Sequence, residues 1–388
     1  MIIHFHHTTV PNAGETKRMK NIDKYVAGVL SDKVVEVEFY RRDRIKYVHS
    51  EGKFTLSDKV VRKYYILHFP RLGKIDCIYR SLVLSYLGLK YKPNYLIGEM
   101  GMFPTLRGIY KRIVKNCKII FDVHGATVEE AKYQSCDRRK VEITSKIESY
   151  SIHAADYIIC QSDEMKRYIV KVYGVNQDNI CVFRCGVDTS IFHFEDNNRK
   201  QVRQELGVSG DEILFVYSGG MHLWQRIEDS LHLFQLYNSH NPKSKYLVIT
   251  LEQDRFLEIL KKEKYSGLRD KILIESLVFE EVPIYLCAAD IAFLLRHNHV
   301  MNTVASPTKL AEYMACGLPI ITSQVAEKWV MKDGFKFLLF EDDMKEDVKV
   351  VDRIIDTTDK CDITRFAKDN LSLEADIKNI KLFFSKIL

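Results

Sequence analysis

Residues 306–321 read Ser306-Pro-Thr-Lys-Leu-Ala-Glu-Tyr-Met-Ala-Cys-Gly-Leu-Pro-Ile-Ile321, the pattern of a capped helix followed by a buried strand. Ser306 is a good N-cap residue, because its hydroxyl can accept a hydrogen bond from an amide of the first turn. Pro307 suits the first helical position, and Gly317 is the expected left-handed stop before the strand. The segment therefore predicts a helix that leads directly into a strand, as in α/β sheets.

The start of this predicted helix has the properties of an anion site. Its first amides and the positive end of the helix dipole meet the ammonium of Lys309, so the turn that also contains Ser306, Pro307 and Thr308 suits a phosphate. Glu312 lies one turn further along, where its carboxylate could accept hydrogen bonds from ribose hydroxyls. An ordinary amphipathic helix that ends at Gly317 is the alternative interpretation.

Short apolar strands alternate with helical patterns along the whole chain. Strands are predicted at residues 2–6, 34–40, 94–97, 118–123, 157–160 and 180–183, and then at 212–217, 246–250, 272–275, 290–295, 318–322 and 336–340. Helical patterns include residues 15–30, 105–116, 128–153 and 164–173. This alternation predicts an α/β protein with two doubly wound parallel sheets, and ligands bind such sheets at the carboxyl ends of the strands. Polar residues cluster within 186–203, where we expect the linker.

The bulk composition is that of a globular protein. The 388 residues are 46% hydrophobic and 28% charged, and this length suits two domains. No apolar run approaches the roughly 18 residues that span a bilayer, and the N-terminus does not resemble a secretory signal. Nine scattered cysteines without a Cys-x-x-Cys pair favour reduced thiols in the cytosol, and zinc-ligand spacing is absent.

The net charge of +6 is distributed unevenly. Residues 1–190 carry 32 Lys and Arg against 21 Asp and Glu, a net +11, whereas residues 191–388 carry a net −5. A basic half suggests a polyanionic partner such as an anionic membrane surface, a phosphorylated acceptor or nucleic acid, and a solvated basic surface is the alternative. Residues 106–115 form a basic amphipathic pattern that can lie on an anionic bilayer or pack on a sheet. No nucleic-acid reading element is recognisable, so nucleic acid is not expected as a partner.

Residues 306–321 resemble the donor-nucleotide element of the GT-B glycosyltransferases, above all family 4 of the retaining enzymes, which carries E-A-M-A-C-G-x-P-V-I. The resemblance implies that Glu312 binds the ribose of a nucleoside-diphosphate sugar. It implies two Rossmann-like doubly wound domains that face an interdomain cleft, with an acceptor-binding domain at 1–188 and a nucleotide-sugar-binding domain at 189–372. Residues 371–374 resemble the F-S-W-E that opens the family's terminal helix, so 373–388 are expected to return to the first domain.

A second resemblance lies in Phe215-Val-Tyr-Ser-Gly-Gly-Met-His-Leu-Trp-Gln-Arg226. The family usually has Gly-Arg at this turn, followed five residues later by a Lys, and both cations bind the diphosphate. Gly219 and Gly220 would let the backbone approach the donor closely. Met221 replaces the arginine, whereas Arg226 falls on the lysine position and is implied to bind the diphosphate.

A third resemblance concerns the first domain. In Asp122-Val-His-Gly125, His124 matches a family histidine that contacts the donor sugar, with a structural histidine as the alternative. The loop Val10-Pro-Asn-Ala-Gly-Glu15 resembles the family's glycine-containing acceptor loop, although an ordinary βα turn also explains it. The resemblance therefore puts Asn12, Gly14 and Gly125 on the acceptor side.

The sequence departs from the family at the first glutamate of its paired carboxylates, where Val304 stands and cannot form a hydrogen bond. Arg296, His299 and Asn302 are candidates to replace it. Arg296 could neutralise a departing diphosphate, or it could pair with a surface carboxylate. The chain has no Asp-x-Asp, the pattern that holds the metal in the other large glycosyltransferase fold, so no metal and no cofactor beyond the sugar nucleotide are expected.

These features predict a retaining, metal-independent glycosyltransferase that moves a sugar from a nucleoside diphosphate to a hydroxyl of a glycan or lipid-linked acceptor in cell-surface polysaccharide synthesis. The resemblance implies front-face substitution, in which the leaving phosphate takes the acceptor's proton. We expect a cytoplasmic location, with contact to the inner face of the membrane as a further possibility. Val304 and Met221 keep open a catalytically silent sugar-nucleotide- or glycan-binding subunit, and a GT-B sugar-nucleotide epimerase is the other alternative.

Overall fold

A computed structural model describes residues 1–7, 14–31, 33–45, 59–99, 109–135, 137–323, 330, 337–339 and 348–386. The chain divides into two compact units, one formed by residues 1–185 with 376–388 and the other by residues 186–375. These boundaries differ by three residues from the expected 1–188 with 373–388 and 189–372.

The first unit is built on a seven-stranded parallel sheet. Its strands are β1 Ile2–His7, β2 Val34–Tyr40, β3 Val60–Leu67, β4 Tyr95–Gly98, β5 Lys118–Val123, β6 Tyr157–Cys160 and β7 Ile180–Val182. They lie in the order β3-β2-β1-β4-β5-β6-β7. The direction of winding reverses between β1 and β4, which makes the sheet doubly wound.

Helices connect these strands. They are α1 Gly14–Asn21, α2 Ala27–Leu30, α3 Lys74–Tyr91, α4 Lys111–Ile113, α5 Thr127–Gln134, α6 Arg138–Ala154 and α7 Asp163–Tyr173, with a π-helical turn at Ile22–Val26 between the first two. The single helix predicted at 128–153 was wrong, because Asp137 starts α6 anew by accepting hydrogen bonds from the amides of Arg139 and Lys140.

The second unit has a six-stranded parallel sheet in the order β10-β9-β8-β11-β12-β13. Its strands are β8 Ile213–Ser218, β9 Ser244–Ile249, β10 Ile272–Glu275, β11 Ile291–Leu294, β12 Ile320–Thr322 and β13 Phe337–Leu339. Its helices are α8 Asp196–Glu205, α9 Ile227–His240, α10 Gln253–Leu260, α11 Val282–Cys287, α12 Val300–Thr303, α13 Thr308–Ala315, α14 Val348–Thr357 and α15 Lys360–Asn370. The winding reverses between β8 and β11, so this sheet is doubly wound as well.

Both sides of the second sheet are covered by hydrophobic core. Successive residues of β8 alternate between two clusters, with Leu214 and Val216 in one and Phe215 and Tyr217 in the other. A strand buried on both faces reads as a continuous apolar run, which is why the sequence identified these strands so well. All twelve predicted strands are confirmed, each within two residues of its predicted bounds. The fold class of two Rossmann-like doubly wound domains is confirmed.

The C-terminal helix α16, Ile377–Ser385, belongs to the first unit. The Phe384 ring lies 6.4 Å from the ring of Tyr95, and the Phe383 ring lies 6.2 Å from that of Tyr157. The expected return of this helix to the first domain is thus confirmed.

The predicted basic helix at 105–116 differs from expectation. Residues 105–108 lie outside the described residues, and α4 covers only one turn of the remainder. Tyr110 and Val114, from its expected apolar face, are buried against Gly88 of α3, where an added Cβ would lie 2.7 Å from Cγ2 of Val114. In these described residues the pattern reflects packing inside the unit.

Two further observations concern membrane-spanning helices and disulfide bonds. Among the helices of the described residues, none combines the length and the apolar character that a membrane crossing requires. The eight cysteines within the described ranges are free thiols, and Cys136 lies outside those ranges.

Candidate functional site

The helix that the sequence placed in the site begins one residue later than predicted. Pro307, not Ser306, occupies the N-cap position of α13, with φ −74° and ψ 117°. Proline cannot cap the first amides with its side chain, so an anion is a suitable acceptor for that turn. The predicted stop is confirmed, since Gly317 has φ 71° and its amide donates to the carbonyl of Met314 at 3.0 Å.

Lys309 and the glycine pair, far apart in sequence, meet at the end of β8. Gly219 has φ 137°, and a Cβ added there would lie 2.3 Å from Nζ of Lys309. The ammonium donates to the hydroxyl of Tyr217 at 3.0 Å and lies 4.4 Å from the centre of that ring. The Tyr217 hydroxyl in turn donates to the carbonyl of Gly220 at 2.6 Å. These contacts fix the lysine cation beside the turn predicted to approach the donor.

Glu252 also reaches this turn, although the sequence did not single it out. Its Oε2 accepts a hydrogen bond from the amide of Met221 at 2.6 Å and would lie 3.0 Å from a Cβ at Gly220. That amide lowers the pKa of the Glu252 carboxyl, so the group is ionised at neutral pH. Glu252 follows β9, the neighbour of β8, and this position after an adjacent strand is the signal that could have found it.

Met221 stands where the family carries an arginine. Its side chain is buried in the hydrophobic core of the second unit. The turn therefore combines a buried apolar side chain with the carboxylate of Glu252 at the Met221 amide. Both features make it less positive than the family pattern would.

Arg226 starts α9 from a left-handed conformation with φ 50°. Its Nε lies 2.5 Å from Oδ2 of Asp229, three residues along the helix. Arg226 also lines a cavity of about 460 Å3 whose walls include Met221, His222 and His297. The structure thus places this predicted diphosphate ligand beside the turn that follows β8.

The segment after β11 carries the predicted Arg296. Its amide donates to Oγ of Ser323 at 3.0 Å, which ties the segment to the end of β12. Burial raises the pKa of the Tyr217 and Tyr313 phenols, and the positive charge of Arg296 opposes this rise in both. Arg296 thus contributes positive charge to the environment of the phenol that binds Lys309.

The other candidates for the missing carboxylate shape their own loop. His299 accepts a hydrogen bond from the amide of Met301 at 3.3 Å through Nδ1, and Asn302 donates to the carbonyl of His297 at 2.8 Å. Val304 is buried at the end of α12. Glu312 lies on α13 with only 9% of its surface exposed.

His124 of the first unit follows β5 and is held by a buried ion pair. Its Nε2 donates to Oδ2 of Asp122 at 2.8 Å. Nε of Arg18 donates to both carboxylate oxygens of Asp122 at 3.0 Å, and its Nη1 donates to the carbonyl of Phe183 at 3.0 Å.

The charges around His124 favour the protonated form of its imidazole. Burial opposes ionisation of Asp122, but the charges of Arg18 and His124 outweigh it and hold the pKa of that carboxyl well below its usual range. Burial would lower the pKa of His124, yet the Asp122 carboxylate raises it overall. Asp122 lies on β5 and His124 directly follows that strand, two residues further on, so the sequence contained the signal for this pair.

The expected acceptor side is only partly described. Asn12 lies outside the described residues, and Gly14 is the first residue of α1. A Cβ at Gly125 would meet no described atom within 4 Å, so packing does not demand a glycine there. The role of these three residues stays a prediction.

A separate cluster of ionisable groups lies inside the first unit. His6, Glu36 and Glu38 offer three ligand atoms within 4.8 Å of one another, a spacing that a metal ion could use. However, Nζ of Lys63 lies 2.9 Å from Glu36 and 3.1 Å from Glu38, and Nε2 of His6 lies 2.9 Å from Glu36. An ammonium thus takes the cation position between the carboxylates.

This cluster predicts a pH-dependent stability. Burial alone would lower the pKa of His6, but Glu36 outweighs it and raises the pKa to about 9. The stabilisation is therefore complete below the ordinary value of 6.5 and is lost as the pH rises through 9, a change of about 3 kcal/mol in the free energy of unfolding. We expect the melting temperature to fall between pH 6.5 and 9.5, and to fall less in His6→Gln.

The control for this experiment is His153→Gln, a change at an exposed histidine of α6. It should keep the full pH dependence. An identical fall in His6→Gln and in the unchanged protein would contradict the role of the His6–Glu36 pair.

Both units match family models of glycosyltransferases. A model described as Glycosyltransferase Family 4 matches residues 40–191, and one described as Glycosyl transferases group 1 matches residues 212–357. The chain is 26% identical over 189 residues to a D-inositol 3-phosphate glycosyltransferase of Xylanimonas cellulosilytica, covering 46% of this chain but only 43% of that protein. It is 22% identical over 359 residues to the enzyme of the same name from Thermomonospora curvata, covering 85% of this chain and 80% of that protein.

A solved structure shares the fold. The crystal structure of Anabaena HepE in complex with UDP superposes with a TM-score of 0.73 at 13% sequence identity, covering 99% of both chains. At this identity the likeness concerns the fold alone.

Proposed function

Because this chain is a family 4-like glycosyltransferase with two Rossmann-like domains, we propose a specific reaction for it. It moves a sugar, with retention and without a metal, from a nucleoside diphosphate to a hydroxyl of a glycan or lipid-linked acceptor in cell-surface polysaccharide synthesis. The observation that carries the donor half of this proposal is the fixed position of Lys309 against Gly219. An ammonium held beside an open backbone turn suits a diphosphate.

In this reaction the second unit binds the donor. The first amides of α13, with Lys309, Arg226 and Arg296, hold the diphosphate and offset the negative charge that grows on it as the sugar departs. Gly219 and Gly220 let the phosphates approach the backbone. Glu312 accepts hydrogen bonds from the ribose hydroxyls.

The first unit supplies His124 for the transferred sugar. Asp122 holds the Nε2 side of the imidazole and raises its pKa, which favours the protonated ring. A ring fixed in this way can donate from Nδ1 to a sugar hydroxyl. The proton released by the acceptor goes to the leaving phosphate, so the reaction requires no side-chain nucleophile.

The proposed acceptor follows from charge and from relatives. Residues 1–190 carry a net charge of +11, which suits a phosphorylated or lipid-diphosphate acceptor. Two relatives are named for an inositol 3-phosphate, which is also an anionic hydroxyl compound. We therefore assign acceptor binding to the first unit.

One alternative has a specific observation in its favour. Burial of Met221 and the carboxylate of Glu252 at its amide reduce the positive charge of the donor turn. Such a turn also suits a catalytically silent subunit that binds a sugar nucleotide or glycan without transferring the sugar.

The test is a thermal-shift screen with UDP-, GDP-, CMP- and dTDP-sugars, followed by product analysis. A bound donor raises the melting temperature by mass action. Transfer with the anomeric configuration kept, and unchanged by EDTA, supports the proposal. Binding without turnover across a broad acceptor panel indicates the silent subunit, and conversion of the donor alone indicates an epimerase.

Replacing Glu312 with alanine should weaken binding of the stabilising sugar nucleotide by about 10- to 100-fold, because hydrogen bonds to a charged group are worth about 1.5–3 kcal/mol. The measurement is the dissociation constant by calorimetry. Glu280→Ala, at an exposed position of the same unit, is the control and should bind as the unchanged protein does. Equal affinity in both variants would remove Glu312 from the donor site.

A further inference from the structure

Helix α3 of the first unit turns its apolar side outward. Its large exposed side chains are Ile75, Ile78, Tyr79, Leu82, Tyr86 and Leu89, which we call the α3 stripe. Their spacing of three and four residues puts them on one side of the helix. Surface helices normally show the opposite arrangement, with polar side chains toward water.

Between its two ends, α3 buries polar side chains instead, among them Asp76, Arg80 and Ser81. The Asp76 carboxylate accepts a hydrogen bond from the amide of Phe69 at 2.6 Å and lies 2.9 Å from Nε of Arg80. Nη1 of Arg80 lies 3.0 Å from Nε2 of His7, at the end of β1. The contact of Arg80 with His7 ties the polar side of α3 to the sheet. Together with the buried Asp76–Arg80 ion pair, it fixes how the helix is rotated about its own axis, and this rotation leaves the stripe exposed.

The exposed apolar surface extends along the whole of α3 and continues into the turn before it. Phe69 and Leu72, around the 3₁₀ turn Pro70–Leu72, are also exposed. The 18 residues of α3 extend over about 27 Å at 1.5 Å per residue. Large contiguous apolar surface of this kind marks an interaction site.

Charge decides what this surface meets. Arg71 and Lys74 are exposed at one end of the stripe, and Lys90 and Lys92 are exposed at the other. The acidic residue between positions 69 and 94 is Asp76, which is buried. The exposed side of this segment is therefore apolar and aromatic along its length, and cationic at both ends.

We propose that the α3 stripe lies in the interface of an anionic lipid bilayer. Aliphatic side chains enter the acyl boundary, tyrosines remain at headgroup level, and the four cations meet lipid phosphates. The helix lies on the membrane and does not cross it. This proposal does not depend on the sugar transfer, since binding is measurable without donor or acceptor.

A second copy of the chain fits this surface less well. In an antiparallel pair of helices, Arg71 and Lys74 of one copy would face Lys90 and Lys92 of the other. In a parallel pair each cation would face its own counterpart. Either arrangement brings like charges together around an apolar contact, whereas an anionic bilayer neutralises all four.

The test is co-sedimentation of the full chain with vesicles, without donor or acceptor. We expect strong binding to phosphatidylcholine vesicles with 30% phosphatidylglycerol, and weak binding to pure phosphatidylcholine. Because headgroup attraction is screened by salt, binding should weaken as the ionic strength rises.

Matched variants locate the contact. Leu82→Glu should reduce vesicle binding more than tenfold, while Val172→Glu on α7 of the same unit should not, although both side chains are 52% exposed. Lys74→Gln should weaken binding about fivefold, from about 1 kcal/mol per cation near an anionic surface, whereas Lys171→Gln should not. Circular dichroism and melting temperature show whether each variant is folded.

Two results would overturn the proposal. One is equal vesicle binding by Leu82→Glu and the unchanged protein. The other is a dimer in sedimentation velocity that Leu82→Glu dissociates, without any vesicle binding, because the stripe would then be an interface between copies. Failure of sugar transfer with intact vesicle binding would affect the proposed reaction alone.

Discussion

Replacing Arg18 with methionine should lower the free energy of unfolding of the first unit by about 3–5 kcal/mol. Arg18 and Asp122 form a buried pair whose side chains are 4% and 1% exposed. Removal of the guanidinium leaves the Asp122 carboxylate in the interior without its main counter-charge. It also removes the hydrogen bond to the carbonyl of Phe183. The measurement is the denaturant midpoint of the first unit.

The matched control is Arg167→Met on α7, which removes an arginine from an exposed pair with Glu164. Exposed pairs contribute about 0–1 kcal/mol, so this variant should unfold almost as the unchanged protein does. A second readout is the sugar-transfer rate, which should fall because Arg18 no longer orients the Asp122 carboxylate that holds His124. Equal midpoints for the two arginine variants would show that the buried pair is not a stabilising element.

Replacing Gly219 with alanine should weaken binding of the sugar nucleotide by about 10- to 100-fold, the value of one or more hydrogen bonds to a charged group. The new methyl group would lie 2.3 Å from Nζ and 2.4 Å from Cε of Lys309. Because these atoms form the flexible end of the lysine, they can move away. The ammonium would then leave the Tyr217 hydroxyl and its position beside the turn. The φ of 137° adds backbone strain for any residue with a side chain.

The control is Gly210→Ala in the same unit, where a Cβ would meet no described atom within 4 Å. It should bind the donor normally. Since the first variant displaces the lysine, Gly219→Ala should weaken donor binding less in a Lys309→Ala background than in the unchanged protein. Full additivity of the two changes would show that the glycine acts independently of Lys309.

The sequence was informative where burial forced a simple pattern. Strands covered on both faces appear as apolar runs, and β8, β11 and β12 were found within two residues of their bounds. Helix ends were less certain, because a proline is compatible with either of two adjacent positions. Pro307 was placed at the first helical position but is the N-cap.

One edge strand and a long-range partner were not predicted. β3 was missed because its residues lack the continuous burial of the central strands. Glu252 was missed because its role depends on a neighbouring strand and not on a local motif. Composition identified the first half as the basic one, but which helix is exposed depends on the contacts of Asp76 with Arg80 and Phe69.

The return of α16 to the first unit has a consequence for biosynthesis. Residues 376–388 complete that unit, yet the ribosome makes them only after the entire second unit. Until then the surfaces around Tyr95 and Tyr157 lack Phe384 and Phe383. The second unit has its whole sequence available earlier, so it can finish folding first, and a nascent chain stalled before residue 376 leaves its first-made half exposed to chaperones and proteases.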